Sequence, residues 1–215
     1  MSSNYEKMRD EMSERFLSMD PEKTSEKFGL RKEGDHAYLT YIGEDFRISL
    51  KTGAAERNDG TGTYVTADFG DAMTIFDILT YSPSPVSPSG EYVNLGSLAA
   101  LTGAFTSVAP SGFFTKQEAE LTGQTDLIKK ALDRPGWTLS GEADAACRID
   151  VFRGLGACFR FWDRDEDFPA QIQFMWDKNV LSLMHYETVW FASSSITARI
   201  VRETRRLSGK DGLPH

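Results

Sequence analysis

Four short runs of alternating apolar residues between Cys147 and His185 constrain the fold more than any other feature of this chain. Their apolar positions are Ile149 and Val151, then Phe159 and Phe161, then Ile172, Phe174 and Trp176, then Leu181 and Leu183. A period of two is typical of β-strands that bury one face. The connections between the runs are short, and short connections return the chain antiparallel. We therefore predict a four-stranded antiparallel meander over residues 147–185.

Helical patterns flank this meander. Apolar residues recur at steps of three and four near the N-terminus, and residues 188–207 change from a period of two to a helical period. We expect both helices to cover the sheet. The prediction is an α+β fold in one domain over residues 1–215, with residues 1–30 as a helical N-terminal extension.

Local signals predict further elements. The pair Asp20 and Pro21 suits the start of a helix, Asp71 suits the N-cap of a buried helix, and Thr115 with Glu118 forms a capping box. Residues 37–50 alternate around Gly43-Glu44, which predicts a hairpin, and residues 52–62 have the composition of a loop.

A segment rich in proline and serine, residues 82–90, follows the buried helix. Three prolines cannot continue a helix or a central strand, so we predict an extended surface segment. A linker between two domains is the alternative. We prefer the surface segment because neither side of it shows a complete core pattern of its own.

Composition excludes several classes of function. The 24 basic and 32 acidic residues give a formal net charge of −8, which repels phosphate backbones and argues against nucleic-acid binding. The chain has no apolar run long enough for a membrane helix and no apolar signal region at its start, so we expect a cytoplasmic protein. Cys147 and Cys158, on adjacent predicted strands, are interpreted as buried reduced thiols.

The acidic loop, residues 163–167, is the densest carboxylate cluster. Asp163, Asp165 and Asp167 alternate as in the opening of a calcium loop, with Glu166 between them. The remaining calcium-loop positions do not match. Two interpretations stay open: a metal site formed by the three aspartates, and a solvated acidic turn that discourages edge pairing, which we prefer.

His185 is the main candidate for acid–base chemistry. Glu187 or Asp150 would be its carboxylate partner, since general acid–base catalysis needs two groups near one proton. A histidine satisfied by a backbone group is the simpler alternative. If the meander has four strands, the acidic loop with Asp165, Glu166 and Asp167 shares one end of the sheet with His185 and Glu187. We hypothesise a polar cleft there, closed by the 82–90 segment.

Three stretches together resemble a known family. They are Phe76 to Tyr81 running into Ser89 to Val93, Arg148 to Phe152, and Asp165 to Ala170 followed by Phe174 to Asp177. Their order and spacing are similar to the bacterial and archaeal proteins catalogued as domain of unknown function 3786, over roughly residues 70–205. Some relatives are joined to an iron–sulfur module in anaerobes, which implies a setting near one-carbon or corrinoid metabolism. This chain lacks the four cysteines that such a cluster requires.

No serine-nucleophile, phosphate-binding or dinucleotide motif is present in the sequence. We therefore expect a binding or accessory protein of anaerobic metabolism that recognises a small molecule or a partner protein. The alternative is a metal-dependent enzyme that uses the acidic loop with His185. The cofactor, the ligand and the oligomeric state do not follow from the sequence.

Overall fold

The computed structural model describes residues 4–82, 85, 87–101 and 112–209. This part of the chain contains two five-stranded antiparallel sheets and seven α-helices. The predicted α+β class is confirmed. None of the helices in these ranges is long and apolar enough to cross a membrane.

The first sheet lies between residues 31 and 66 and has the strand order β1-β2-β3-β4-β5. Its strands are β1 (Arg31–Glu33), β2 (His36–Tyr41), β3 (Glu44–Ser49), β4 (Ala55–Asn58) and β5 (Tyr64–Thr66). The predicted hairpin is confirmed, but its turn is Ile42-Gly43, one residue earlier than expected. Both turn residues have positive φ, 52° and 76°, as a tight hairpin of this handedness requires. Strand β4 falls in the predicted 52–62 loop.

The second sheet has the strand order β6-β10-β9-β8-β7. Its strands are β6 (Tyr92–Asn94), β7 (Trp137–Ser140), β8 (Ala145–Phe152), β9 (Leu155–Trp162) and β10 (Gln171–Asp177). Three of the four predicted meander strands are thus confirmed as β8, β9 and β10. Cys147 pairs with Phe159 and Cys158 with Arg148, so the two free thiols lie on opposite faces of the sheet.

The predicted fourth strand is wrong, because Val180–Ser182 is a single 3-10 turn. Two contacts explain why. The Asp177 carboxylate accepts a hydrogen bond from the Asn179 amide at 2.9 Å, which turns the chain as soon as β10 ends. The edge position that a fourth strand would occupy is taken by β6, which pairs with Met175–Asp177.

The helices are α1 (Asn4–Ser18), α2 (Pro21–Lys27), α3 (Phe69–Tyr81), α4 (Leu95–Leu101), α5 (Thr115–Leu121), α6 (Thr125–Ala131) and α7 (Tyr186–Leu207). The Asp20 side chain caps α2 as predicted, by accepting from the Lys23 amide. The two other predicted caps are wrong. Asp68 is the N-cap of α3, and Asp71 lies buried in its first turn. Phe114 is the N-cap of α5, and no side chain caps that helix.

Apolar side chains from both sheets and from the helices form one buried cluster that extends from Phe16 to Val201. Helix α1 packs on α3 through the rings of Phe16 and Phe76. Helix α7 packs on the second sheet, where Trp176 Nε1 donates to Ser193 Oγ at 3.1 Å. The two sheets meet directly, since the Ile42 amide donates to the Val151 carbonyl at 3.0 Å.

A buried ion cluster joins α7 to the rest of the core. The Arg199 guanidinium donates two hydrogen bonds to Asp71, at 3.1 and 2.9 Å, and one to Glu44 at 2.8 Å. The Arg199 and Asp71 side chains are 5% and 1% exposed. Burial opposes the charge of Arg199, but the two carboxylates outweigh it and raise the pKa of the guanidinium. Asp71 is therefore an ion-pair partner for α7, and its burial follows from that role.

Candidate functional site

The acidic loop joins β9 to β10, and its first carboxylate is held by helix α6. Asp163 accepts hydrogen bonds from the Gly123 amide at 2.9 and 3.0 Å and from Thr125 Oγ1 at 2.8 Å. Burial would raise the pKa of the Asp163 carboxyl, but hydrogen bonds from Gly123, Thr125 and Arg164 outweigh it and hold the pKa below its usual value. Asp163 is thus an anchor that fixes the loop to α6.

The rest of the acidic loop is a self-bonded turn. Asp165 Oδ1 accepts from the amides of Asp167 and Phe168, at 2.9 and 2.7 Å. Within the described ranges, no group of three or more His, Cys, Asp or Glu side chains is placed to hold a metal ion. Asp163, Asp165 and Asp167 do not form such a group: the Asp163 carboxylate is bonded to Gly123 and Thr125, and the Asp165 carboxylate closes its own turn.

His185 is placed by contacts with α3. The Asp77 carboxylate accepts from the His185 backbone amide at 2.7 Å and lies 2.7 Å from its Nδ1. The Tyr81 ring lies against the imidazole with a centroid distance of 4.0 Å. The Asp77 side chain is 5% exposed and the His185 side chain is 48% exposed. A buried carboxylate therefore orients a histidine whose other face is open to solvent.

The structure gives His185 a partner other than the two predicted ones. Glu187 lies in the first turn of α7 and is exposed, and within the described residues it makes no hydrogen bond or ion pair with His185. Asp150 lies on β8, where its carboxylate accepts from the Gly154 amide at 2.9 Å and closes the β8–β9 turn. The predicted cleft between the acidic loop and His185 required both to lie at one end of the sheet. The acidic loop precedes Gln171, the first residue of β10, whereas the chain to His185 follows Asp177, its last residue. These two ends of β10 are about 20 Å apart.

The first and the last residues of the 82–90 segment are hydrogen-bonded to other parts of the chain. Lys27 Nζ donates to the Ser82 carbonyl at 2.7 Å. Asp177 accepts from the amides of Ser89 and Gly90, at 3.1 and 2.8 Å. These contacts agree with a surface segment, and they lie beyond the Asp177 end of β10, away from the acidic loop. Residues 83, 84 and 86 of the prediction lie outside the described residues.

A groove of about 550 Å³ runs along one edge of β10. We call it the edge groove; it is lined by residues 94–96, 112–114, 118, 168–174 and 190. Aromatic rings form much of its wall. Phe113 lies against Trp190 with ring centroids 4.7 Å apart, and Phe114 lies against Phe174 at 5.4 Å. Phe113 and Phe168 keep 42% and 70% of their surface exposed, so this wall is accessible.

Polar groups in the edge groove come from the strand edge and from α5. The Glu118 carboxylate, predicted to reach back to its own helix, instead accepts from the Ile172 amide at 2.9 Å. Gln171 and Gln173 of the strand edge also line the groove. The groove thus combines aromatic rings with several polar groups, and binding sites commonly use apolar walls for affinity and polar groups for orientation.

Sequence reasoning missed the residues that matter most here. Asp77 is a carboxylate between Phe76 and Ile78 in the apolar second half of α3, and a charge in such surroundings is a signal that could have marked it. Glu118 was assigned to a helix cap. Trp190 falls within the helical pattern of residues 188–207, which gives no sign of its place in the groove.

The comparisons with known proteins place the chain in a family without assigning an activity. No curated protein and no solved structure matches it. A family model described as Domain of unknown function (DUF3786) matches residues 20–199. This range contains the acidic loop, the Asp77/His185 pair and the edge groove, and the chain belongs to the DUF3786 family.

Proposed function

We propose that this protein is a binding protein whose ligand occupies the edge groove. The observation that carries the proposal is the groove itself, with aromatic rings on its walls and the Glu118 carboxylate at the strand edge. Burial of apolar surface supplies most of the free energy of binding in such sites, and a few polar groups fix orientation. The ligand is a small molecule or a segment of a partner protein with apolar groups.

The setting of this binding is part of the proposal. We place the protein in the cytoplasm, which is supported by its two unpaired thiols and by the lack of a membrane-spanning helix within the described ranges. An accessory role in anaerobic metabolism is supported by the family resemblance alone.

A matched pair of variants tests the binding proposal. Phe168→Ala removes an exposed apolar side chain from the groove, and Leu139→Ala removes one that is 52% exposed on β7, at the far side of the same sheet. We expect an apolar fluorescent probe such as anilinonaphthalene sulfonate to bind the wild type saturably. Phe168→Ala should weaken that binding several-fold, and Leu139→Ala should leave it unchanged. Equal responses of the two variants would count against the groove.

A second candidate function is proton transfer by His185. The observation that favours it is the use of a buried carboxylate, Asp77, to orient through Nδ1 an imidazole whose side chain is half-exposed. The Tyr81 ring would limit the approach of a substrate to one face. This candidate retains His185 from the predicted enzyme and replaces the acidic loop with Asp77.

Turnover of a panel of chromogenic esters and phosphoesters tests this second candidate. Activity that is lost in His185→Gln and in Asp77→Asn, and retained in Glu187→Gln, would support it. Activity that persists in His185→Gln would come from another source, and the candidate would be abandoned.

A further inference from the structure

Within the described residues, strand pairing covers only part of the backbone edge that borders the edge groove. Strand β6 pairs with Met175, Trp176 and Asp177 of β10. No strand in the described part of the chain pairs with Gln171–Phe174 on that side. Uncovered strand edges offer amides and carbonyls to any extended chain that can reach them.

The direction of the amides shows which ones are offered. Lys178 donates its amide to the Glu91 carbonyl at 2.9 Å, so residues of even number on this strand direct their amides away from β9. The Ile172 amide has the same direction, and the acceptor it meets is the Glu118 carboxylate. Glu118 therefore occupies the position that the carbonyl of an added strand would take.

The two faces of an added strand would meet different surroundings. Ile172 and Phe174 point to the buried face of the sheet, beside Phe114 and Trp190. Gln171 and Gln173 point to the other face. An extended peptide with apolar side chains at alternate positions matches this arrangement, since its side chains also alternate.

Two acidic residues that precede Phe168 indicate which charge the peptide should carry. Glu166 and Asp167 precede Phe168 in the acidic loop, are exposed, and have no hydrogen bond or ion pair with a described residue through their carboxylates. Arg164 is the one cation of this loop. Unpartnered carboxylates beside an apolar groove favour a ligand that carries a positive charge next to its apolar positions.

We propose that the ligand of the edge groove is an extended peptide segment, with alternating apolar residues and a flanking lysine or arginine, that adds as a strand to Gln171–Phe174 of β10. This inference rests on the proposed binding function. The main-chain hydrogen bonds supply affinity, the groove selects the apolar side chains, and Glu166 and Asp167 select the basic flank.

Fluorescein-labelled peptides test the proposal by anisotropy. The probe is Lys-Thr-Phe-Thr-Val-Thr-Lys, and its two controls replace both lysines by glutamate or N-methylate alternate backbone amides. We expect saturable binding of the probe that weakens as salt increases, and binding at least about tenfold weaker for each control. Equal binding of the N-methylated peptide would overturn strand addition, because that peptide keeps the side chains and cannot form the ladder.

Protein variants separate charge selection from a general loss of folding. Glu166→Gln with Asp167→Asn should remove most of the preference for the lysine flank. Asp10→Asn with Glu11→Gln, on the exposed side of α1, should leave it unchanged. An unaltered preference in the loop variant would overturn the assignment of the acidic loop.

The result with the apolar dye distinguishes failure of the peptide inference from failure of the proposed binding function. If the dye binds in a manner sensitive to Phe168→Ala and none of the peptides binds, the groove takes a small molecule and the peptide inference is wrong. If neither the dye nor any peptide binds, the binding function fails together with the inference.

Discussion

Asp77 receives two hydrogen bonds from a single residue, one from the backbone amide of His185 and one at its Nδ1, each at 2.7 Å. The two residues are 108 positions apart in the chain. The contact joins α3 to His185, the N-cap residue of α7, and engages Nδ1 of its ring. The contact thus stabilises the packing of α3 against the start of α7, and it is the basis of the second candidate function.

Replacement of Asp77 by asparagine separates these two roles. The carboxylate can only accept at Nδ1, so neutral His185 should carry its proton on Nδ1 in the wild type. We expect Asp77→Asn to lose this tautomer preference and to lower the free energy of unfolding by about 1–3 kcal/mol. Nitrogen-15 NMR of the imidazole reports the tautomer, and urea unfolding reports the stability. An unchanged tautomer in the variant would show that Asp77 does not control the ring.

The buried ion cluster leads to a larger predicted effect. Arg199→Met leaves the Asp71 carboxylate buried without its main partner, which should destabilise the fold by about 3–5 kcal/mol. The double variant Arg199→Met with Asp71→Leu should recover much of this loss, because no unpaired charge then remains in the core. Urea unfolding of the two single variants and the double variant measures the coupling. Additive effects would mean that the pair does not act as a unit.

The outcome for the strands shows what local pattern can predict. The alternation in β8, β9 and β10 is a property of a few neighbouring residues, and the structure confirms it. Leu181 and Leu183 show the same period, but there a distant contact decides the structure. Residues 92–94 take the strand edge, and Asp177 turns the chain.

The contacts that form the candidate site also join residues far apart in the chain, so the sequence did not reveal them. The partner of His185 could not be identified from its neighbours, because Asp77 reaches it only when α3 and α7 pack together. Glu118 matched the pattern of a capping box, yet its carboxylate accepts from the Ile172 amide on β10 and makes no cap hydrogen bond. Both predictions failed because a contact with a residue distant in the chain decides the role of the side chain.

Asp177 should make the stability of the fold depend on acidity. Burial would raise the pKa of its carboxyl, but hydrogen bonds from the amides of Asn179, Ser89 and Gly90 outweigh it and hold the pKa below its usual value. A pKa depressed in the folded state contributes stability above about pH 4, and that contribution is lost as the pH falls through the folded value.

Asp177→Asn tests this dependence. At pH 7 we expect the variant to be less stable than the wild type by about 1–3 kcal/mol. The difference should begin to shrink as the pH falls below about 4, where the unfolded chain takes up a proton first, and it should disappear as the pH falls through the lower pKa of the folded state. Urea midpoints at pH 7, 5 and 3.5 measure it, with Glu187→Gln, an exposed carboxylate, as the control. A difference that stays constant over this range would contradict the assignment.

The last prediction concerns the edge that Glu118 covers. Glu118→Ala frees the Ile172 amide, removes a charge from the groove and leaves half of β10 exposed as a template for strand pairing. We expect a loss of about 1 kcal/mol in stability and increased self-association with concentration, measured by urea unfolding and by light scattering after size exclusion. The basic peptide probe should compete with this association, since both need the same edge. Gln117→Ala on the same helix is the control, because the side-chain oxygen of Gln117 has no partner in the described ranges. If Glu118→Ala remains monomeric at every concentration and binds the probe as the wild type does, Glu118 does not limit access to the edge.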